Sequence, residues 1–267
     1  MRKYFIGINW EQNSSASLFC GGECLGALSN ERITRKKNDE AYPKEAIDYL
    51  LKEFCVKPKD IASVVFVSTQ WAPGWVLTRH YTSFSTADYL REQDEIWYPL
   101  IYKNEFYSPL DIFAEKLDKK QYPGEQFWEE IINKLDHRFA HASDSSFEEI
   151  GQNIRKSVVK MHLGVTDVRF MDHSSCHNAY AYFSQPNRKD SFLSISLDAF
   201  GDGINYSAKV YKPTGNNIIV TDIVSGGNFI IGRLYRYITL ILGLKPNEHE
   251  YKVMGLAPYC KPHYFNH

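Results

Sequence analysis

An α/β fold with mixed sheets is predicted by three features of the 267-residue sequence. Short runs that alternate apolar and polar residues, such as KYFIGINW, SSASLFC and FLSISLD, have the two-residue period of strands. Between them lie longer runs whose apolar residues recur at helical spacing. Strands and helices then succeed one another, an order that places parallel strands with crossover helices beside antiparallel hairpins.

Residues 1–70 open on a meander of three strands, KYFIGINW, SSASLFC and CLGALS, the last two joined by Gly21-Gly22. Cys20 and Cys24 flank that turn and are expected as buried strand residues, since no second close pair follows at zinc-ribbon spacing. Pro43 suits the first turn of a helix, YPKEAIDYLLKEF, with Ala46, Leu50, Leu51 and Phe54 as its apolar stripe. DIASVVFVS then reads as a buried strand. Residues 71–143 change character: aromatic and proline residues are dense and no single period holds. This block reads as an aromatic-rich, mostly helical insertion, either a packed subdomain or a wall for an acceptor substrate. In residues 144–267 regular patterns return. A helix over 144–159 carries Phe147, Ile150, Ile154 and Val158 on one face, and VTDVRFM follows as a strand. FLSISLD is a half-buried strand with Leu193, Ile195 and Leu197 on one side, and AKVYK and NIIVTDIV are further strands.

Charge narrows the function classes. The chain has 31 basic and 32 acidic residues and no basic stripe, which argues against nucleic acid and for a small-molecule partner. The five cysteines are odd in number, and the N-terminus MRKYFIGINW runs directly into a strand, so a reducing cytoplasm is the expected location. The longest apolar runs, VVFV and YITLILGL, fall far short of the roughly 20 residues a membrane-spanning helix needs.

His173 and His177 lie four residues apart in HSSCHNAYAYF. On a helix this spacing sets the two Cβ atoms about 5–6 Å apart on one face, so both rings can reach one ion at roughly 2.0–2.1 Å. His137/His141 and His263/His267 repeat the spacing, so spacing alone selects none of them. Surroundings favour the first pair. After it, FLSISL ends at Asp198 and opens into a turn with Gly201, Asp202 and Gly203. The order strand, histidine helix, strand, carboxylate would set Asp198 beside the histidines if the strands are neighbours. Two imidazoles and a carboxylate suit Fe(II) or Zn(II) with open positions for substrate. Further on, Gly226, Gly227, Gly232, Glu250, Lys252 and Gly255 supply glycines and a cation of the kind that cradle phosphates. No G-x-x-x-x-G-K-[ST] or G-x-G-x-x-G follows a strand, so ordinary P-loop and dinucleotide readings fall away.

Taken together, the string H-x-x-x-H-x-A-x-A-Y-F from His173 to Phe183, the Asp198-x-x-Gly201-Asp202-Gly203 turn, Gly232-x-Leu234-Tyr235 and the block EYKVMGLAPY from Glu250 to Tyr259 resemble the O-carbamoyltransferases of nodulation-factor and antibiotic biosynthesis. The opening GIN followed by SSASLF resembles them too. The family is similar to the tRNA threonylcarbamoyl transferases, and the resemblance implies an actin-like ATPase fold, also called ribonuclease-H-like. It further implies that carbamoyl phosphate and ATP give carbamoyl adenylate, whose carbamoyl group passes to a hydroxyl of a small-molecule acceptor near an iron-type metal. By motif, His173, His177 and Asp198 would be metal ligands. Gly201, Asp202, Gly203, Gly226, Gly227, Gly232, Glu250, Lys252 and Gly255 would line the nucleotide, with Mg(II) as its companion ion.

Two departures stand out. Gln12-Asn13 occupy the place of the family's His-Asp, and neither side chain can serve as a base. Ala199 stands where the family prefers glycine. Family members are also roughly twice as long, with a fourth ligand carboxylate and a carbamoyl-adenylate synthase-like C-terminal domain. The expectation is therefore a fragment or one half of a split enzyme, its site completed by a C-terminal domain or partner chain. Two alternatives remain open here: an actin-like ATPase or small-molecule kinase, and a non-catalytic metal- or nucleotide-binding module.

Overall fold

The computed structural model describes residues 3–70, 84–105, 107, 109–116, 145–215, 217–229 and 231–261. Most of the 71–143 block and the pairs His137/His141 and His263/His267 lie outside them, as do the side chains of Phe147 and Ile150.

Five strands form the first sheet: β1 (Tyr4–Asn9), β2 (Ser15–Cys20), β3 (Glu23–Ser29), β4 (Ile61–Phe66) and β5 (Val168–Phe170), in the order β3-β2-β1-β4-β5. The meander pairs antiparallel, whereas β4 joins β1, and β5 joins β4, in parallel, so the sheet is mixed as the element order predicts. Along the chain lie the α-helical segments α1 (Glu31–Thr34) and α2 (Lys44–Glu53), and, after β4, α3 (Thr86–Glu92) and α4 (Pro109–Ile112). α5 (Ser145–Leu163) runs a full turn past the expected end. Its Val159 and Leu163 join Ile47 and Leu50 of α2, and Ile6, Ile8, Leu18 and Val64 of the sheet, in one core. Alternation along β1 explains the packing, since Ile6 and Ile8 point to the core while Phe5 stays exposed.

Two expectations need correction. Cys24 is exposed and Cys20 only half-buried, because β3 is the sheet's edge and its hairpin with β2 projects from it. Phe54 lies just past the end of α2 and is partly exposed; Ile47 takes its place in the buried stripe.

α6 (His173–Phe183) leads to the second sheet, which is wholly antiparallel: β6 (Phe192–Gly201), β7 (Ile204–Thr214) and β8 (Asn217–Gly226). Its alternation is as predicted, but the face that is covered is the polar one. Ser194 and Ser196 are buried, whereas Leu193, Ile195 and Leu197 are 55–60% exposed. Small polar side chains let α6 approach closely and bond to the sheet: Asn178 donates to the Ser207 hydroxyl at 2.6 Å, and Ser194 donates to the Asn178 carbonyl at 3.2 Å. Tyr182 stacks on Tyr211 with ring centres 4.7 Å apart. Beyond the sheet come α7 (Ile231–Ile241) and the short α8 (Glu250–Met254).

Within the 71–143 block, α3 starts on a capping box made by Ser85 and Asp88, and two π-helical turns follow. Phe84, Tyr89, Ile96 and Phe113 pack with Leu240 of α7 into a second small core. Among the described residues, no helix is long and apolar enough to cross a membrane.

Candidate metal centre

The start of α6 sets the site. Asp172 caps the helix, its side chain accepting the Ser175 N–H at 2.8 Å, so His173 becomes the first helical residue. His177 then lies one turn on, on the same face. β6 runs past this face and delivers Asp198. The three side chains converge: His173 Nε2 is 2.6 Å from Asp198 Oδ2, His177 Nε2 is 3.0 Å from His173 Nε2, and His177 Nε2 is 3.7 Å from Asp198 Oδ2. Donors that each bind one ion at roughly 2.1 Å stand about 3–3.5 Å apart; the separations here fall on either side of that range, so the three atoms form a group that could hold a metal ion after small side-chain adjustments. β5 and β6 belong to different sheets; α6, which follows β5 in the chain and packs on β6 and β7, brings the groups together rather than strand adjacency.

Charge follows geometry. The hydrogen bond with His173 holds the Asp198 carboxyl below the usual carboxylate range, and the same bond raises His173 despite its partial burial. Burial, then the neighbouring His173 charge, lowers His177. The other Asp198 oxygen accepts the Ala199 N–H at 2.6 Å, which aims Oδ2 at the imidazoles.

The carboxylate of Asp202 is engaged with backbone. It accepts the N–H groups of Thr69 at 2.9 Å, Gln70 at 2.8 Å and His173 at 2.7 Å, which ties the chain after β4 to the head of α6. The segment is held from its other side by Arg155 of α5, which donates to the carbonyls of Ser68 at 2.9 Å and Thr69 at 2.7 Å. Its guanidinium lies 4.5 Å from the Phe170 ring, and burial brings its pKa down to about 10. Sequence reasoning missed Arg155. A signal existed, since it falls on the Val159–Leu163 stripe of α5, where a charged residue breaks the apolar pattern.

The glycines divide by role. A Cβ on Gly201 would lie 2.4 Å from the His173 ring, and one on Gly232 would lie 2.8 Å from the Ala199 Cα, so both permit close approach around Asp198. Gly226 makes room for the Tyr206 ring in the same way. Gly203 has φ +83, a turn conformation suited to glycine, and Gly227 packs near its carbonyl. Gly201→Ala is expected to force His173 aside, costing about 1–3 kcal/mol of stability and weakening metal binding. Thermal unfolding with and without Zn(II) checks this; a variant whose Zn(II)-induced Tm rise equals that of wild type would refute it.

Glu250 and Lys252 lie on α8, with Gly255 capping it. The Glu250 carboxylate accepts the Asn247 N–H at 2.6 Å, and the Asn247 carbonyl accepts the Gln12 side-chain amide at 2.7 Å. Next to Gln12, Glu11 lies 3.9 Å from His173 Nδ1. The turn at residues 11–12 therefore connects the EYKVMG block to the three-donor cluster. Nothing in the sequence singled out Glu11.

Comparison with known proteins adds to this geometry. The sequence matches the family described as carbamoyltransferase N-terminus over residues 5–265. It is 25% identical over 262 residues to uncharacterized protein sll1178 of Synechocystis sp., covering 98% of this chain and 35% of that protein. It is also 25% identical over 255 residues to uncharacterized protein MJ1051 of Methanocaldococcus jannaschii, covering 95% of this chain and 33% of that one. The chain thus spans about a third of the length of these relatives. Among solved structures, YeaZ from Pseudomonas aeruginosa aligns with a TM-score of 0.34 and 8% identity, over 84% of this chain and 66% of that one.

Proposed function

Because the chain belongs to the carbamoyltransferase N-terminus family, we propose that it is the metal-bearing part of an O-carbamoyltransferase that moves a carbamoyl group from carbamoyl adenylate to a hydroxyl of a small-molecule natural product or sugar. The convergence of His173 Nε2, His177 Nε2 and Asp198 Oδ2 carries this reading. An Fe(II) or Zn(II) ion held by these atoms supplies Lewis-acid polarisation of the carbamoyl carbonyl or an adjoining phosphate oxygen. The chain's own groups prepare the place: Asp198 brings the negative charge, and Asp202 and Gly201 set His173 against it.

Gln12 is excluded as the base that activates the acceptor hydroxyl, since a carboxamide has no basic nitrogen and its amide already donates to Asn247. In this reading Gly203, Gly227, Glu250, Lys252 and Gly255 line the nucleotide, while Asp202, Gly201, Gly226 and Gly232 shape the backbone around it. Carbamoyl adenylate is made from carbamoyl phosphate and Mg-ATP by a C-terminal domain or partner chain. Two features support such a covering element: the exposed Leu193, Ile195 and Leu197 face of β6, and the exposed Ile231, Leu234 and Ile238 on α7. The actin-like assignment is supported by the strand order β3-β2-β1-β4-β5 followed by a second sheet. An ATPase or kinase reading leaves the paired imidazoles without a task.

The test is metal content, by mass spectrometry, of protein purified without a metal-affinity tag. Near-stoichiometric iron or zinc is expected, together with binding of a carbamoyl-adenylate analogue when the completing domain is supplied. Metal-free protein that also fails to take up added Fe(II) or Zn(II) would sink the proposal.

A further inference from the structure

We infer that Glu11 is a positioning residue of the metal centre, acting on His173 from the ring nitrogen opposite the ion; this rests on the metal-site reading above and deepens it. The two ring nitrogens of His173 face different partners. Nε2 points to Asp198 and His177, and Nδ1 faces Glu11 Oε2 at 3.9 Å. When Nε2 binds an ion, the remaining ring proton sits on Nδ1. A carboxylate beside that proton fixes the ring's orientation and makes Nε2 a better donor, the arrangement by which supporting groups tune metal-bound histidines. At 3.9 Å the attraction acts through charge across a gap, not through a direct hydrogen bond.

Glu11 is itself held for this task. Burial raises the Glu11 carboxyl above the usual carboxylate range, and the neighbouring Ser68, His173 and Arg155 oppose that rise; Arg155 in turn donates to the Ser68 hydroxyl at 3.2 Å. The residue before it, Trp10, is buried and packs edge-on against Tyr42, which anchors the backbone. On its other side Gln12 binds the Asn247 carbonyl. A rigid turn thus sets one carboxylate toward the metal cluster and ties its neighbour to the EYKVMG block.

The test titrates the whole chain with Co(II), following its visible absorption, for wild type, Glu11→Gln, Glu11→Asp and His177→Ala. Glu11→Gln keeps size and polarity and removes the charge. It is expected to bind Co(II) about 10–100-fold more weakly than wild type, with Glu11→Asp recovering part of the loss. In the Zn(II)-loaded protein the NMR signal of the His173 Nδ1 proton should shift in Glu11→Gln, because the negative charge facing it is gone, a change that a general loss of stability does not produce. Equal Co(II) affinity and an unchanged Nδ1 signal in Glu11→Gln would overturn the role of Glu11 and leave the metal site intact. If wild type and His177→Ala bind Co(II) equally, or neither binds it, the metal reading fails and this inference fails with it. Should Glu11→Gln not fold, Glu11→Asp decides by the same two readouts, and wild-type values there overturn the inference.

Discussion

Replacing His173 and His177 together by alanine is expected to abolish metal binding while leaving the protein folded. The donor set consists of two imidazoles and one carboxylate, and the double change leaves Asp198 alone. Removing only a supporting partner of a ligand weakens binding roughly 10–100-fold, so loss of two of the three ligands themselves should exceed that range. The metal-free fold should lose only the His173–Asp198 bond, about 1–3 kcal/mol, because His177 is half exposed and the contacts that seat α6 are made by Ser174, Asn178 and Tyr182 on another face. Metal analysis after dialysis against Zn(II), read beside thermal unfolding in chelator, separates the two effects. Retention of one equivalent of zinc by the double variant would place the ion elsewhere.

Asp202→Ala should damage both fold and site. The carboxylate receives three backbone N–H groups, from Thr69, Gln70 and His173. Hydrogen bonds to a charged group contribute about 1.5–3 kcal/mol each; these three share one acceptor and water reaches the site, so a total loss of about 3 kcal/mol is expected. Asp202→Asn should recover only part of it, since an amide nitrogen would confront donors with a donor. The head of α6 would also lose its anchor at His173, and metal affinity should fall with stability. Urea unfolding of the three proteins, with Zn(II) titration, checks both parts. If Asp202→Ala unfolds at the wild-type midpoint, the clamp has no energetic weight.

The Asp202 clamp shows how a residue can be found by sequence and given a different task by structure. A glycine-flanked aspartate at a strand end reads as an ion or phosphate group, because local pattern conveys residue chemistry but not its partners. The partners here come from the segment after β4 and from the head of α6, remote in the chain. Gly201 and Gly232 follow the same rule. Their lack of a side chain was visible; that the space goes to His173 and to the β6 backbone was not.

By itself the sequence determined what depends on neighbours in the chain: the strand meander, α2 with its buried face, the histidine pair at one-turn spacing, and Asp198 at a strand end. Tertiary structure alone decided which side of β6 is covered, because alternation marks two faces without saying which one a helix will meet. The serines won, since α6 can approach them closely and bond to them. It also decided that α6, packed on β6 and β7, would carry the histidines to Asp198, and that Glu11 would meet His173 across the whole intervening chain. Such contacts follow from how elements pack in three dimensions, and no period or spacing along the sequence encodes them.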